Sequence, residues 1–378
     1  MNVYFDNAAT TPLANEAIEA MNDVMKNCYG NPSSVHVHGR KAKAHIERSR
    51  KSIAQHFNVP ASSIYFTSGG TEADNIAIRQ TVEMFSVRHI ITSKLEHHAV
   101  LHTAEELAEK GLTTISYVHH NGLGQIDMSH LEELLSSMPH ALVSLMHANN
   151  EIGTRISLRE IGNLCQKHHA IFHSDTVQTI GHYRLDLSAT PVDMVVCSAH
   201  KIHGPKGVGF LYLKPGITLH PLITGGAQEK NLRAGTENIY GIVGMSTAID
   251  LAYHHLTEHE KHIRDIRNYM KSQLIQHIPD VSFHGDSSDD GLYTLLNVSF
   301  PPLIERDMFL LKLDILGISA SAGSACSSGS QIISHVLKAI ESDEKRPAIR
   351  FSFSRYNTYD DVDKAISVLN KLYQNRIN

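Results

Sequence analysis

Cysteine is scarce in this sequence and nowhere forms a paired motif. The chain of 378 residues has four cysteines, and no Cys-x-x-Cys pair occurs among them. They are scattered along the sequence at Cys28, Cys165, Cys197 and Cys326. Four cysteines over this length do not make a disulfide framework, and in a cytosolic protein they are expected to be reduced. The sequence therefore does not indicate a disulfide-stabilised fold.

Long apolar runs and an excess of basic charge are also missing. Apolar runs such as Met194 to Cys197 are far too short to span a bilayer. The N-terminus, Met-Asn-Val-Tyr-Phe-Asp, has no basic region followed by an apolar stretch, so we expect no signal peptide. The net charge of -5 gives no indication of nucleic acid or an anionic membrane as a partner. We expect a cytoplasmic protein.

Histidine, by contrast, is abundant, with 27 residues. Several stand in adjacent pairs, namely His97-His98, His119-His120, His168-His169 and His254-His255. Adjacent side chains point in different directions on a helix or strand, so such pairs rarely chelate one metal. We interpret most histidines as solvated or satisfied and predict no firm metal site. A non-enzymatic metal-binding or interaction protein remains an alternative.

Between residues 60 and 215, short apolar runs alternate with helical patterns. The runs carry Ile, Val and Leu at successive positions, as buried parallel strands do. The predicted strands are His89 to Ser93, Thr113 to His119, Ala141 to His147, Ala170 to Ser174, Asp193 to Cys197 and Val208 to Leu213. The predicted helices are Thr71 to Phe85, Ala99 to Lys110, Ser129 to Ser136 and Leu158 to His168. This alternation predicts an α/β domain of three layers.

The pattern changes after a long helical stretch from Ile239 to His277. The remaining predicted elements are strands at Thr294 to Ser299 and Ala348 to Ser354 and helices at Ile304 to Leu316 and Tyr359 to Tyr373. A chain of this length ordinarily forms more than one domain. We predict a large domain over residues 13–255 and a smaller α+β domain made of residues 1–12 and 256–378.

The sequence contains one candidate anion site and one candidate cation site. In residues 66–72, Phe-Thr-Ser-Gly-Gly-Thr-Glu, two glycines precede a helix whose N-terminus favours a phosphate. The alternative there is a simple N-cap at Ser68 or Thr71. Asp175 ends a predicted buried strand, where a carboxylate can hold a cationic ring nitrogen, or can simply cap a turn.

Lys201 follows the next strand and precedes a glycine-rich turn. Lysine forms Schiff bases with carbonyl cofactors, and a carboxylate such as Asp175 is the usual partner of the pyridinium nitrogen in such enzymes. Lys206 is a poorer candidate because it lies deeper in the turn. Taken alone, Lys201 is equally well explained as a surface lysine in a loop.

Residues 319–330 are nearly all small, with Cys326 near the centre. Such a segment has little with which to pack a core, so it is predicted to be a mobile loop. A cysteine in that setting is predicted to be exposed and reactive. The alternative is an incidental loop thiol, although exposed thiols are prone to oxidation.

Together these segments resemble the cysteine desulfurases of the NifS and IscS type, which are fold-type I enzymes dependent on pyridoxal 5'-phosphate (PLP). The resemblance spans nearly the whole chain. Its motifs, in the family's order, are Phe5 to Thr11, Tyr29 to Ser34, Thr67 to Glu72, Glu96-His97, Asn149 to Gly153, Ser174-Asp175, Ser198 to Lys201, Arg233 to Asn238, Gly323 to Cys326 and Ile349 to Ser352. The resemblance implies a large mixed-sheet domain that binds PLP and a smaller domain that carries the cysteine loop.

The resemblance also implies roles for the matching residues. Lys201 holds PLP and moves protons, His97 stacks on the ring and acts as an acid–base, and Asp175 keeps the ring nitrogen protonated. Gln178 contacts the ring hydroxyl, and Thr236 reaches the phosphate of a neighbouring subunit in a homodimer. The implied cofactor-binding residues are Gly70, Thr71, His97, Asn150, Asp175, Gln178, Ser198, His200, Lys201 and Thr236.

The implied reaction converts L-cysteine to L-alanine. Asn150 and Arg350 hold the substrate carboxylate, since a planar guanidinium suits such recognition. Cys326 attacks the substrate sulfur and keeps it as a persulfide, through which it could contact an iron–sulfur cluster. The acceptor, an iron–sulfur scaffold or a tRNA-thiolation enzyme, stays open. Alternatives are a selenocysteine lyase or another class V PLP aminotransferase. Gln331 to Ser334 replace the Leu-Glu-Pro-Ser that family members often carry after the loop.

Overall fold

A computed structural model describes residues 2–302, 308–323 and 334–374 of the chain. The strands are β1 (Val3–Tyr4), β2 (Ile64–Thr67), β3 (His89–Thr92), β4 (Thr114–Tyr117), β5 (Leu142–Ser144), β6 (Ile171–Asp175), β7 (Met194–Ser198), β8 (Gly209–Leu213), β9 (Ser282–His284), β10 (Leu295–Ser299), β11 (Ile318–Ser319) and β12 (Ala348–Ser352). The helices are α1 (Asn15–Asn27), α2 (Val37–His56), α3 (Gly70–Met84), α4 (His98–Glu109), α5 (Met128–Ser137), α6 (Leu158–Lys167), α7 (Ile239–His254), α8 (Leu256–His277), α9 (Phe309–Ile315), α10 (His335–Ala339) and α11 (Tyr359–Gln374).

A seven-stranded mixed sheet forms the centre of the larger part, in the order β2-β8-β7-β6-β5-β3-β4. Strand β8 runs antiparallel to both of its neighbours, and the remaining pairs are parallel. Helices α3 and α4 pack on one face, and α1, α2, α5, α6 and α7 cover the other. Both faces of the parallel strands are therefore buried, which explains their continuous apolar sequence. The three-layer α/β architecture expected from the sequence is confirmed.

The six strands predicted between residues 89 and 213 all occur in this sheet, and most of them are shorter than expected. Strand β2 was not predicted. It has four residues and is held by antiparallel pairing with β8, from Ile64 opposite Tyr212 to Thr67 opposite Gly209. Its existence thus depends on a partner strand about 145 residues later in the chain, which a local pattern does not reveal.

The helical stretch from Ile239 to His277 was predicted as one element, and the structure divides it into α7 and α8 at His255. No glycine or proline marks the break. Helix α7 packs against α1 and α2 in the larger part, whereas α8 packs against α11 and β10 in the smaller part. The helical stretch is therefore divided between two cores, a tertiary effect that helical periodicity does not show.

A second core lies around the antiparallel sheet β12-β10-β9. It includes residues of α8, α9 and α11 and also Val3 and Phe5 from the N-terminus. Strand β1 pairs in parallel with β11, and the Phe5 ring meets the rings of Phe351 and Phe353 edge-on. The N-terminal segment thus packs with the smaller core. The domain limits at residues 12/13 and 255/256 stay a prediction.

The described part of the helix predicted from Ile304 to Leu316 is α9, and residues 303–307 lie outside the described residues. In the described ranges, no helix combines the length and the apolar character that crossing a membrane requires.

Candidate functional site

Side chains expected to carry chemistry gather at the carboxyl edge of the large sheet. Asp175 is the last residue of β6, Ser198 is the last of β7, and Lys201 ends the short helix that follows β7. His97 and Gly70 stand at the starts of the helices that follow β3 and β2. At this edge the ends of neighbouring strands meet, which is where open α/β sheets bind ligands.

These residues surround a cavity of about 210 Å³. Its lining residues are Ala8, Ala9, Gly70, Thr71, Asp74, His97, Met146, Asn150, Asp175, Val177, Gln178, Ser198, His200, Lys201 and Arg350. Every predicted cofactor- and substrate-binding residue except Thr236 is in this set. The roles of these residues remain predictions, but the structure brings the residues themselves into one place.

The wall that would meet a phosphate is the N-terminus of α3. The helix begins at Gly70 with Gly69 as its N-cap, so the alternative of a capping Ser68 or Thr71 is wrong. Instead, the Ser68 N–H donates to the Glu72 carboxylate at 2.9 Å. A Cβ at Gly70 would stand 2.9 Å from Val177 Cγ2, so glycine keeps this cradle open. An open helix N-terminus of this kind suits a phosphate group.

Lys201 points from the large sheet to the N-terminal segment. Its Nζ donates hydrogen bonds to the carbonyl oxygens of Ala8 at 2.6 Å and Ala9 at 2.7 Å. Gln178 Nε2 donates to the same Ala8 oxygen at 3.2 Å. The backbone of Ala8 and Ala9 therefore fixes the position of the amine in the lining of the cavity.

The Asp175 carboxylate belongs to the lining of the cavity. Burial raises its pKa, while a hydrogen bond from the Val177 N–H at 2.9 Å and the nearby Lys201 charge act in the opposite direction. A carboxylate with these two partners in the lining of a cavity suits a cationic ring nitrogen. Together with the phosphate cradle and the lysine, the residues present fit PLP.

His97 and His200 are both held in the neutral form. Burial and the Lys201 charge lower the pKa of each imidazole to about 4. His97 Nδ1 accepts the Ala99 N–H at 3.1 Å, so the proton of the neutral ring is on Nε2. A neutral imidazole with a defined tautomer can stack on an aromatic ring or exchange one proton.

Arg350 belongs to the opposite wall and is only 1% exposed. Its Nη2 lies 2.9 Å from Asp6 Oδ1, and its Nη1 donates to the backbone oxygen of Asn150 at 2.9 Å. Ser321 also donates to Asp6, at 2.7 Å. The remaining Nε of Arg350 is buried without a hydrogen-bond partner among the described residues. This donor is therefore available to an acceptor supplied by a ligand in the cavity.

Thr236 is not brought into the cavity. It is exposed and lies in an adjacent pocket that also contains Ser68 and Arg233. Arg233 Nε pairs with the Glu72 carboxylate at 2.9 Å, which ties this segment to the phosphate cradle. The contact predicted for Thr236 is between two subunits, so it stays a prediction.

Cys326 lies outside the described residues, but both flanks of its segment are described. Ser334 caps α10 by accepting the N–H groups of Val336 and Leu337, and its hydroxyl donates to the carboxylate of Glu151. A Cβ at Gly323 would stand 3.3 Å from Glu151 Oε2. The segment therefore leaves and rejoins the described fold at one buried carboxylate, although Gln331 to Ile333 differ from the usual family sequence.

Sequence reasoning missed three acidic residues around the cavity, Asp6, Asp74 and Glu151. Asp6 and Glu151 stand inside motifs that were recognised, but their partners Arg350 and Ser334 lie about 340 and 180 residues away in sequence. Asp74 carried a usable signal, because it follows Gly70 by one helical turn and must share its face of α3.

The histidine-rich composition does not translate into a metal site in the part of the chain that the structure describes. No group of three or more histidine, cysteine or acidic side chains there is arranged to hold a metal ion. Several histidines instead stack on one another, for example His98 on His102 and His119 on His130.

The fold and the cavity define a class of protein, the fold-type I enzymes of the PLP-dependent transferase type. The family model "Aminotransferase class-V" matches residues 3–365. The cysteine desulfurase IscS of Dictyoglomus turgidum is 42% identical over 376 residues, which are 98% of this chain and 94% of that protein. The cysteine desulfurase IscS of Methanosarcina thermophila is 39% identical over 98% of this chain and 92% of its own length.

Two solved structures are similar to this chain over most of its length. A NifS-like protein has a TM-score of 0.91 at 36% identity and covers 99% of this chain and 100% of its own. A structure described as SspA in complex with cysteine has a TM-score of 0.80 at 32% identity, over 94% of this chain and 100% of its own. The chain belongs to the class-V aminotransferase family, among its cysteine desulfurases.

Proposed function

We propose that this cysteine desulfurase binds PLP through Lys201, takes sulfur from L-cysteine and leaves it as a persulfide on Cys326, releasing L-alanine. The observation that carries the proposal is the cavity itself. It combines a lysine amine, a buried carboxylate and an open helix N-terminus on one wall with a buried arginine donor on the other. This set serves a phosphorylated pyridine cofactor and a small amino acid.

The first wall of the cavity, formed by Lys201, Asp175 and the N-terminus of α3, would hold the cofactor. Gly70, Thr71, Ser198 and His200 would surround its phosphate, and Asp175 would accept a hydrogen bond from its ring nitrogen. When bound, PLP supplies an electron sink for the carbon next to the substrate amine. Neutral His97 presents no positive charge that would compete with the protonated ring nitrogen.

The second wall would hold the substrate. Arg350 Nε has no partner among the described residues while Asp6 and Asn150 hold the two terminal nitrogens, so it can meet a carboxylate without losing either contact. The Asn150 side chain would add a second polar contact. Because Asp6 already balances the guanidinium charge, binding would depend on geometry more than on net charge.

Proton transfer and sulfur transfer would divide between two residues. Lys201 takes the α-proton, since its amine is already positioned by Ala8 and Ala9. The Cys326 thiolate then forms a bond to the substrate sulfur as the carbon–sulfur bond breaks. The β-carbon that lost the sulfur would gain the proton released by the Cys326 thiol, carried by His97, and the α-carbon would regain the proton held by Lys201, giving alanine. Cys326 keeps the sulfur as a persulfide.

The sulfur acceptor and the subunit arrangement are the remaining parts of the proposed function. A sulfur-acceptor protein, an iron–sulfur scaffold or a tRNA-thiolation enzyme, would take the persulfide sulfur, and the persulfide could contact an iron–sulfur cluster during the transfer. A homodimer would let Thr236 of one subunit reach the phosphate held by the other. The exposed position of Thr236 beside the phosphate cradle is compatible with that arrangement.

The test replaces the thiol that takes the sulfur. Cys326→Ala is expected to bind PLP normally and to lose at least about a hundredfold in sulfide release from L-cysteine, because the nucleophile is gone. Cys165→Ala removes a thiol that is buried in the large core, so it is the matched control and should retain activity. Normal sulfide release by Cys326→Ala would instead indicate a lyase or aminotransferase that needs no persulfide.

A further inference from the structure

Asp74 lines the cavity but has no place in the proposed reaction. It lies on α3 one turn after the phosphate cradle and is only 1% exposed. Its Oδ1 is buried and has no hydrogen-bond partner in the described ranges. His173 Nε2 faces it at 3.4 Å and likewise makes no hydrogen bond with the described residues. Two facing orphan atoms indicate a proton that only one of them carries.

His173 connects Asp74 to the interior of the sheet. The imidazole belongs to β6, two residues before Asp175, and is fully buried. Its other nitrogen, Nδ1, lies 2.9 Å from Ser144 Oγ on β5. A chain of three polar side chains, Ser144, His173 and Asp74, thus runs from inside the sheet to the edge of the cavity.

The charges around Asp74 favour a neutral carboxyl. The ionisable groups that face it are Asp175 and His173 of β6 and Glu96 of the segment before α4. Burial and the two neighbouring carboxyls raise the pKa of Asp74 well above its usual value. Burial lowers the pKa of His173 to about 3, so the imidazole does not offer a compensating positive charge.

Asp175 differs from Asp74 in having partners for its charge. It accepts the Val177 N–H and lies near Lys201, and both lower its pKa against the effect of burial. Ionising two neighbouring buried carboxyls at once is energetically costly, so one of them tends to keep its proton. The negative charge therefore resides on Asp175, which has the better hydrogen-bond and charge partners.

We propose that Asp74 is a positioning residue that remains protonated in the working enzyme, donates its proton in a hydrogen bond to His173 Nε2, and so leaves Asp175 as the single anion beneath the cofactor ring. The assignment of the ring to Asp175 rests on the proposed function, but the protonation of Asp74 does not require the cofactor. The inference can therefore fail or succeed independently of the reaction.

The first experiment measures the thermal stability of the full chain as a function of pH, with and without PLP. The raised pKa of Asp74 means that the folded state binds this proton more tightly than the unfolded state, so its stabilisation is complete at acidic pH and is lost as the pH rises toward the folded pKa. Asp74→Asn keeps the shape and cannot ionise, so it avoids that loss. Its Tm should exceed that of the parent by about 2 °C or more near pH 8 and by less near pH 5.

The stability measurement needs a control variant in which an exposed aspartate is replaced. Asp314 is an exposed aspartate on α9, so Asp314→Asn should shift Tm by the same small amount at all pH values. A purely structural role for Asp74 would give a loss of stability that does not depend on pH. An Asp74→Asn variant that loses stability as the pH rises would mean that Asp74 is ionised, and the proposal would be wrong.

The parent enzyme provides a second measurement should the variant fail to fold. Infrared spectra of protein with isotope-labelled aspartate should contain the carbonyl band of a protonated aspartic acid at neutral pH, and Asp175→Asn should retain it. Labelling aspartate alone excludes a contribution from Glu96. The absence of any such band in the parent would overturn the proposal. A band present in a protein that binds no PLP would instead leave this inference standing and refute the proposed function.

Discussion

The two walls of the cavity are built in different ways. The first, with Asp175, Ser198 and Lys201, comes from the ends of neighbouring strands in one sheet. The second joins Asp6 of the N-terminal segment to Arg350 of β12, 344 residues apart in sequence. The first wall inherits its geometry from sheet pairing, whereas the second exists only once the N-terminus has packed on the smaller core.

The walls also differ in charge. On the first wall, burial and Lys201 hold His97 and His200 neutral. On the second wall, the Arg350–Asp6 ion pair is almost fully enclosed on the arginine side, with 1% of that side chain exposed. Substitutions on the first wall should therefore alter cofactor binding, and substitutions on the second should alter the use of the substrate while the cofactor stays in place.

The largest effect of this kind is expected for Arg350→Gln. Removing a buried guanidinium leaves Asp6 without its charge partner and the substrate carboxylate without its donor, so kcat/KM for L-cysteine should fall by about a hundredfold or more. Alanine formation measures the loss, and the absorbance of bound PLP should stay near that of the parent. The matched control is Arg346→Gln, which breaks a pair with the exposed Asp280 outside the cavity.

The contrast between the walls would disappear if Arg350→Gln lost PLP while keeping its KM for cysteine. Such a result would place Arg350 in the cofactor site.

A smaller effect is expected for Glu151→Gln, which keeps the shape of the residue that meets both flanks of the Cys326 segment. A neutral amide accepts the Ser334 hydroxyl less strongly than a carboxylate does, so persulfide formation on Cys326 should slow by about three- to tenfold. Mass spectrometry of the peptide that contains Cys326 measures the rate at which the persulfide forms. The control is Glu160→Gln on the exposed face of α6. Equal rates in the two variants would remove Glu151 from the sulfur-transfer step.

The sequence predicted the first wall better than the second for a physical reason. Asp175 and Lys201 each follow a buried apolar run, so the sheet edge could be inferred from local patterns. The Gly69-Gly70 cradle was likewise visible, although its capping alternative proved wrong. Each of these features depends on a few consecutive residues.

The remainder depends on contacts between distant segments. Strand β2 exists because β8 pairs with it, and the break at His255 exists because α7 and α8 enter different cores. Arg350 was predicted from the family resemblance, but its partner Asp6 was not, since nothing in the residues near Asp6 indicates β12. The protonation of Asp74 follows from three neighbours, two on β6 and one before α4, that are distant from it in sequence, and so it required the structure.

The most direct test of the central claim is to find which lysine carries the cofactor. Lys201 is half-buried and lines the cavity, while Lys206 is exposed only five residues later and provides an internal comparison. Reduction of the PLP-loaded protein with borohydride, followed by peptide mass spectrometry, should find the cofactor on Lys201 alone. Attachment to Lys206, or unchanged labelling in Lys201→Ala, would contradict the account.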